Sequence, residues 1–286
     1  MGVNYDILEK DFSKKHSAAC QLSILVGMDS LFFFIFDAAE NKALRLRTIP
    51  YLGYAADSDS FSQELQNLFQ REEIFSQQFR RVRICLAPRK TVPVPSRLFN
   101  DAASAVYLRE LTNELKPGFI LQHEDLSDLG IKLVYEADPS IIHACKKQFP
   151  SCHISDQAAA LITGAQRAVP EDQAHCLFVH FTARTLQLVL FDKHSLAFYN
   201  SFAYSTAADV LYFTLAVLNQ FNIDPAAVPV SLSGTIVQDA EIFRVLSRYV
   251  GNLSFAAEPH YLTFSNRFKD VQHYFFFDLY AMALIR

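Results

Sequence analysis

Apolar residues fall in short runs, or alternate with polar ones, over residues 22–26, 31–36 and 43–49, the last reading ALRLRTI. Such patterns bounded by turn residues predict strands, and the intervening GMDS and AAENK predict the turns of a meander. The period then changes. Asp59, Ser60 and Gln63 mark a helix start, and Phe61, Leu65, Leu68, Phe69, Phe75 and Phe79 recur at helical spacing, an aromatic stripe fit to lie on a sheet. A short strand over residues 82–86 follows. Pro88, Pro93 and Pro95 break the chain before a second helix over residues 96–115.

The second half runs through the same order. Strands are predicted over residues 176–181, 186–191 and 196–202, and Thr206 with Asp209 opens a helix reaching Phe221. That helix is apolar on most sides, the expectation for one covered on two faces. The strand VPVSLSG (228–234), a helix over 239–249, the strand LSFAA and a closing helix over 270–284 complete the pattern. LFFFIFD (31–37) and LQLVLFD (186–192) are related by a constant offset of 155 residues. The third strands end at Tyr51 and Tyr204, and TVPVPSRLF from Thr91 lines up with TIVQDAEIF from Thr235. Strands do share composition, but a common β-β-β-α-β-α order is harder to reach by chance. An internal duplication follows, with lobes at 1–165 and 166–286 around a cleft that both hairpin turns face.

Composition excludes several classes. A hydrophobic fraction of 51% is too high for a disordered chain, and a formal net charge of −4 with pI near 6.1 lacks the basic footprint of a nucleic-acid coat. The run Arg80-Arg81-Val82-Arg83 reads as a helix end entering a strand. The polar first residues give no expectation of a signal peptide, and no apolar run approaches the roughly 20 residues of a membrane span. Five cysteines without a CxxC pair suit reduced thiols, so a cytoplasmic protein without membrane insertion is expected. HACKKQFPSCH (143–153) gathers imidazoles and thiols, but its Cys-x6-Cys spacing across a proline is not a zinc pattern, and no metal ligands are assigned. HEDLSD (123–128) is expected to cap a loop. The chain has no GxxxxGK[ST], GxSxG or HExxH.

The duplicated order resembles the actin, sugar kinase and Hsp70 superfamily, whose two ribonuclease-H-like lobes clamp ATP. More narrowly, the chain resembles an uncharacterised Bacteroides-type family of unknown function with an actin-like ATPase fold. The resemblance implies an α/β fold of two β-β-β-α-β-α lobes and places the first phosphate loop at Leu25-Val26-Gly27. There the glycine stands but leucine replaces the metal-positioning aspartate, with Asp29 and Ser30 as partial substitutes. The second loop falls on HFTARTLQ (180–187). His180 stands for aspartate, Thr182 and Arg184 stand for glycines, and Ala183 and Thr185 match. A β-carbon at such a turn obstructs close approach to phosphate. The adenosine turn LSGT (232–235) keeps Gly234, and QAAALITG (157–164) resembles the family's connecting helix, its small residues fit to pack on residues 281–284.

Losing both loop aspartates removes the usual metal anchors of phosphoryl transfer and equally those of a ribonuclease-H-type nuclease. The expectation is therefore a catalytically inactive actin-like protein with no catalytic residues and no cofactor, serving as a scaffold for an unknown protein partner. Actin-like proteins of pilus and secretion assembly, which bind partner peptides, supply the analogy. The alternative is a nucleotide-binding protein or weak ATPase taking ATP and Mg2+ at Gly27, Asp29, Ser30, Thr182, Arg184, Thr185 and Gly234. A small-molecule kinase is disfavoured by the same missing aspartates.

Overall fold

The computed structural model describes residues 4–10, 12–27, 29–50, 58–87, 90–112, 115, 117–183, 185–237 and 240–285. Arg184 and Tyr51 lie outside the described residues. The expected meander is β2 (Cys20–Val26), β3 (Ser30–Asp37) and β4 (Lys42–Pro50), and it gains an edge strand the pattern did not announce, β1 (Asp6–Leu8), antiparallel to β4. α1 (Ser58–Arg71) sets Phe61, Leu65, Leu68 and Phe69 on this sheet, and Phe75 joins them from a 3-10 turn, edge-on to Phe33 and Phe69 at 5.3 Å each. β5 (Arg81–Leu86) then runs parallel to β2.

A separate small sheet is inserted here. β6 (Thr91–Pro95), β7 (Ile120–Leu126) and β8 (Ile131–Ala137) pair antiparallel in the order β6-β8-β7, with α2 (Ser104–Thr112) packed against them. Three expectations fail at this insertion. The helix expected over 96–115 begins only at Ser104, because Asn100 is extended and its side chain accepts from Ala102 N–H, capping a 3-10 turn where the helix was to run. Thr91 opens a strand while the segment after Thr235 leads to a helix, so those two stretches are not equivalent. His123 to Leu126 belong to β7, not to a loop cap. α3 (Pro139–Gln148), capped by Asp138, β9 (His153–Asp156) and α4 (Gln157–Ala168) complete this half, whose six-stranded sheet is ordered β1-β4-β3-β2-β5-β9.

The second half follows with β10 (His175–Phe181), β11 (Thr185–Asp192), β12 (Ser195–Ala203), α5 (Ala207–Gln220), β13 (Pro229–Gly234), α6 (Glu241–Leu246), β14 (Asn252–Phe255) and α7 (Phe277–Ala281). Its sheet, β12-β11-β10-β13-β14, repeats the antiparallel and parallel pairings of β4-β3-β2-β5-β9. The likeness reaches individual residues. Register shifts fall between Ile35 and Phe36 and between Leu190 and Phe191. The hairpin turns close alike, Gly27 N–H on Ser30 O at 3.0 Å and Thr182 N–H on Thr185 O at 2.9 Å.

Two more expectations are corrected. The closing helix over 270–284 is a five-residue α7 preceded by a 3-10 turn at His273–Phe276. Tyr274 packs into the second sheet's outer core while Phe276 and Phe277 pack between the sheets, and the tighter turn re-aims successive aromatics to reach both. α5 buries only one face, through Val210, Thr214, Val217 and Leu218, and leaves Tyr212 67% exposed. The central core lies between the two sheets and contains α4 and α7. Gly164 permits that contact, since a β-carbon there would lie 2.7 Å from Ala281 Cβ. No described helix is long and apolar enough to cross a membrane.

Candidate functional site

The two hairpin turns face one another across a cleft whose lining brings together Gly27, Asp29, Thr182, Thr185 and Gly234. Ser30 contributes its carbonyl to closing the first turn instead of lining the space. The threonines are spent locally: Thr182 Oγ1 lies 2.8 Å from Thr185 Oγ1 and accepts from Thr185 N–H at 3.2 Å. Gly234 has φ +82°, and a β-carbon there would lie 2.0 Å from Phe181 O. Its conformational freedom serves the join between β13 and β10, where Thr235 N–H donates to Phe181 O at 2.8 Å. A bulky residue at 234 would therefore break the fold, so such a variant cannot test nucleotide binding alone.

Beneath the turns, the two sheets present contrasting rungs. In the second sheet, His180 pairs with Gln187 on β11 and Ser233 on β13, whereas in the first its counterpart Leu25 pairs with Phe32 and Cys85. The polar rung is buried and fully engaged. His180 Nδ1 lies 3.0 Å from Ser233 Oγ, and His180 Nε2 lies 3.4 Å from Asp278 Oδ2. Gln157 Nε2 donates to the same carboxylate, Gln187 Nε2 donates to Gln157 Oε1 at 3.4 Å, and Tyr199 OH donates to Gln187 Oε1 at 2.9 Å. Burial alone would push Asp278 up. The charge of His180 and hydrogen bonds from His180, Gln157 and Leu279 N–H outweigh it and hold the carboxyl below the ordinary aspartate range.

A Ser–His–Asp chain invites comparison with a nucleophilic triad. Ser233, His180 and Asp278 are only 1%, 2% and 2% exposed, so no substrate carbonyl reaches the hydroxyl, and the chain works as a joint. It ties β10 and β13 to the start of α4 and to α7. Asp156 caps α4 next door, its carboxylate accepting from Ala158 N–H and from Thr91 Oγ1 at 2.8 Å, and burial pushes its pKa up to about 7.

Mg2+ and ATP do not fit the cleft as it stands. Phe32, Phe275 and Phe276 fill it, the rings of Phe32 and Phe276 6.0 Å apart, leaving a cavity of about 50 Å3, against at least ~300 Å3 for sites that hold cofactor-sized ligands. Among the described residues its lining carries the carboxyls of Asp29 and Asp278 and no lysine or arginine to face a triphosphate. Sequence reasoning missed Gln157 as a cleft residue, reading its segment only for small side chains, and missed Asp278 altogether. The available signal was a lone acid in the apolar run HYFFFDLYAMAL. The His143–His153 cluster disperses, Cys145 into the core beneath α3 and His153 onto Glu124 at 3.2 Å.

The fold is that of the actin-like ATPases. The chain superposes on a Bacteroides thetaiotaomicron protein with an actin-like ATPase fold and unknown function, TM-score 0.81 and 16% identity, over 96% of this chain and 99% of that one. The PilM–PilN type IV pilus biogenesis complex matches with TM-score 0.60 and 14% identity, over 92% and 96%. The ethanolamine utilization protein EutJ from Carboxydothermus hydrogenoformans matches with TM-score 0.50 and 7% identity, over 93% and 90%. Identities this low speak to fold alone. No curated protein matches the sequence. A family model matches residues 9–253, and by that match the chain belongs to the family described as a protein of unknown function, DUF3822.

Proposed function

We propose that this protein is a catalytically inactive, cytoplasmic binding module. Its two lobes, 1–165 and 166–286, arose by duplication, and its ancestral ligand cleft has become a structural joint. The observation that carries the partner-binding reading lies outside the cleft. A groove of about 520 Å3 runs between β7, the edge of the small sheet, and β9, the edge of the six-stranded sheet. Edge strands offer unpaired backbone groups to an incoming extended segment. Glu124 lines this groove with a side chain 9% exposed, and its Oε2 has no hydrogen-bond partner among the described residues. A buried acceptor left unpaired is costly, and an extended peptide supplies N–H donors. The PilM–PilN complex of type IV pilus biogenesis shares this fold and supports the reading by analogy.

Affinity capture from native lysate tests it, comparing wild type with Glu124→Lys. A stoichiometric protein held by wild type and lost from a folded variant is the expected result. Equal capture by both removes the groove from the account. The second reading, nucleotide binding, draws on the gathering of Gly27, Asp29, Thr182, Thr185 and Gly234 at one cavity and is tested separately by nucleotide titration.

A further inference from the structure

The uncovered face of α5 is unlike an ordinary solvated helix surface. Of its 14 residues only Asp209 is charged, and that carboxylate is spent on capping, accepting from Ser205 and Thr206 N–H at 2.9 and 2.8 Å. The outward side instead presents Ala208, Leu211, Tyr212 and Leu215. Beside it, a groove of about 610 Å3 separates α5 from α6, floored by Ala207 and Ala208 and walled by Leu211, Ile242, Val245 and Tyr249. Tyr212 is 67% exposed, Tyr249 55% and Val237 48%. Tyrosine-rich apolar surface with a depression at its centre has the make-up of an interface core, not of free surface.

The charges at the rim identify the occupant. Glu241 opens α6 and Arg248 follows its end, both lining the groove, and neither makes an ion pair with a described residue. Seven residues at helical rise separate them by roughly 10 Å along the axis. A two-fold axis perpendicular to α6 sets the N-terminal end of one copy against the C-terminal end of the other, so that Glu241 meets Arg248 twice. We propose that this face is the self-association surface of the protein. Two copies pack α5 and α6 about a two-fold axis, with Tyr212 of each entering the α5–α6 groove of the other and two Glu241–Arg248 pairs closing the rim. The proposal is independent of what the cleft or the β7–β9 groove binds.

Sedimentation velocity from low to high micromolar concentration tests it. Wild type is expected to show a concentration-dependent monomer–dimer equilibrium, and Tyr212→Glu to weaken it tenfold or more. Glu241→Arg and Arg248→Glu, both at the exposed rim, are each expected to weaken it, and the double variant Glu241→Arg/Arg248→Glu to recover it because the pairs re-form with reversed sign. A wild type monomeric throughout the range overturns the proposal, including the case in which a different protein is captured through Tyr212. So does a double variant no better than the singles while all retain the wild-type melting temperature.

Discussion

Gly234 is the residue at which resemblance and physics meet. Its place in LSGT pointed to an adenosine turn, and its φ of +82° and the 2.0 Å approach of a built β-carbon to Phe181 O give it a structural task as well. Gly234→Ala is accordingly expected to cost about 2–4 kcal/mol of stability, from left-handed strain plus displacement of β10, read as a lowered denaturation midpoint. Asp156 makes a prediction of a different kind. Its folded-state pKa stands near 7 against an ordinary 3.8, so between those values the folded state holds a proton that the unfolded state has released. Stability then falls as pH rises through that window, by up to about 1.4 kcal/mol per unit, and levels above it. Asp156→Asn keeps an acceptor for Ala158 N–H and is expected to flatten that slope and to exceed wild type in stability at pH 7. An unchanged slope would mean that Asp156 is ionised in the folded state.

Among elements, those with strong period were legible and those whose burial comes from elsewhere were not. The central strands were read from apolar runs because each is buried on both faces by helices. β7 escaped because ILQHEDL is polar and largely exposed along its length, with no alternation to read. The capping box of α5 was visible in Thr206 and Asp209, and both of its hydrogen bonds form. The contact of α4 with α7 was also legible, from the small residues of QAAALITG, and it is testable. Gly164→Ala forces β-carbons into a 2.7 Å approach, so despite the gain of up to about 1 kcal/mol in helix propensity it is expected to destabilise by about 1–2 kcal/mol net. Adding Ala281→Gly relieves the contact, and the double-mutant cycle is expected to show a favourable coupling of about 1 kcal/mol or more. Additive effects would show that the helices do not meet there.

At the scale of the molecule, the site was only half legible. The turn residues were found because they are local, whereas the joint beneath them draws Gln157, His180, Ser233 and Asp278 from segments up to 121 residues apart, a convergence that exists only after folding. That joint carries a consequence of its own. Removing the carboxylate leaves its buried partners Gln157 and His180 without their acceptor, so Asp278→Ala is expected to cost about 1–3 kcal/mol. Asp278 is held below the ordinary aspartate range, so its contribution is present above the ordinary pKa and is lost as pH falls through the lowered one, opposite in sign to Asp156.

The central claim is that an actin-like fold has closed its ancestral cleft with aromatic side chains and a buried polar joint. Thermal melting of the wild-type protein against ATP, ADP and GTP, each with and without Mg2+, tests it most directly. The account predicts a melting temperature unmoved up to millimolar nucleotide. A saturable upward shift, worth about 2.7 kcal/mol at a hundredfold excess over Kd, would contradict it and return Gly27, Asp29, Thr182 and Thr185 to a working nucleotide site.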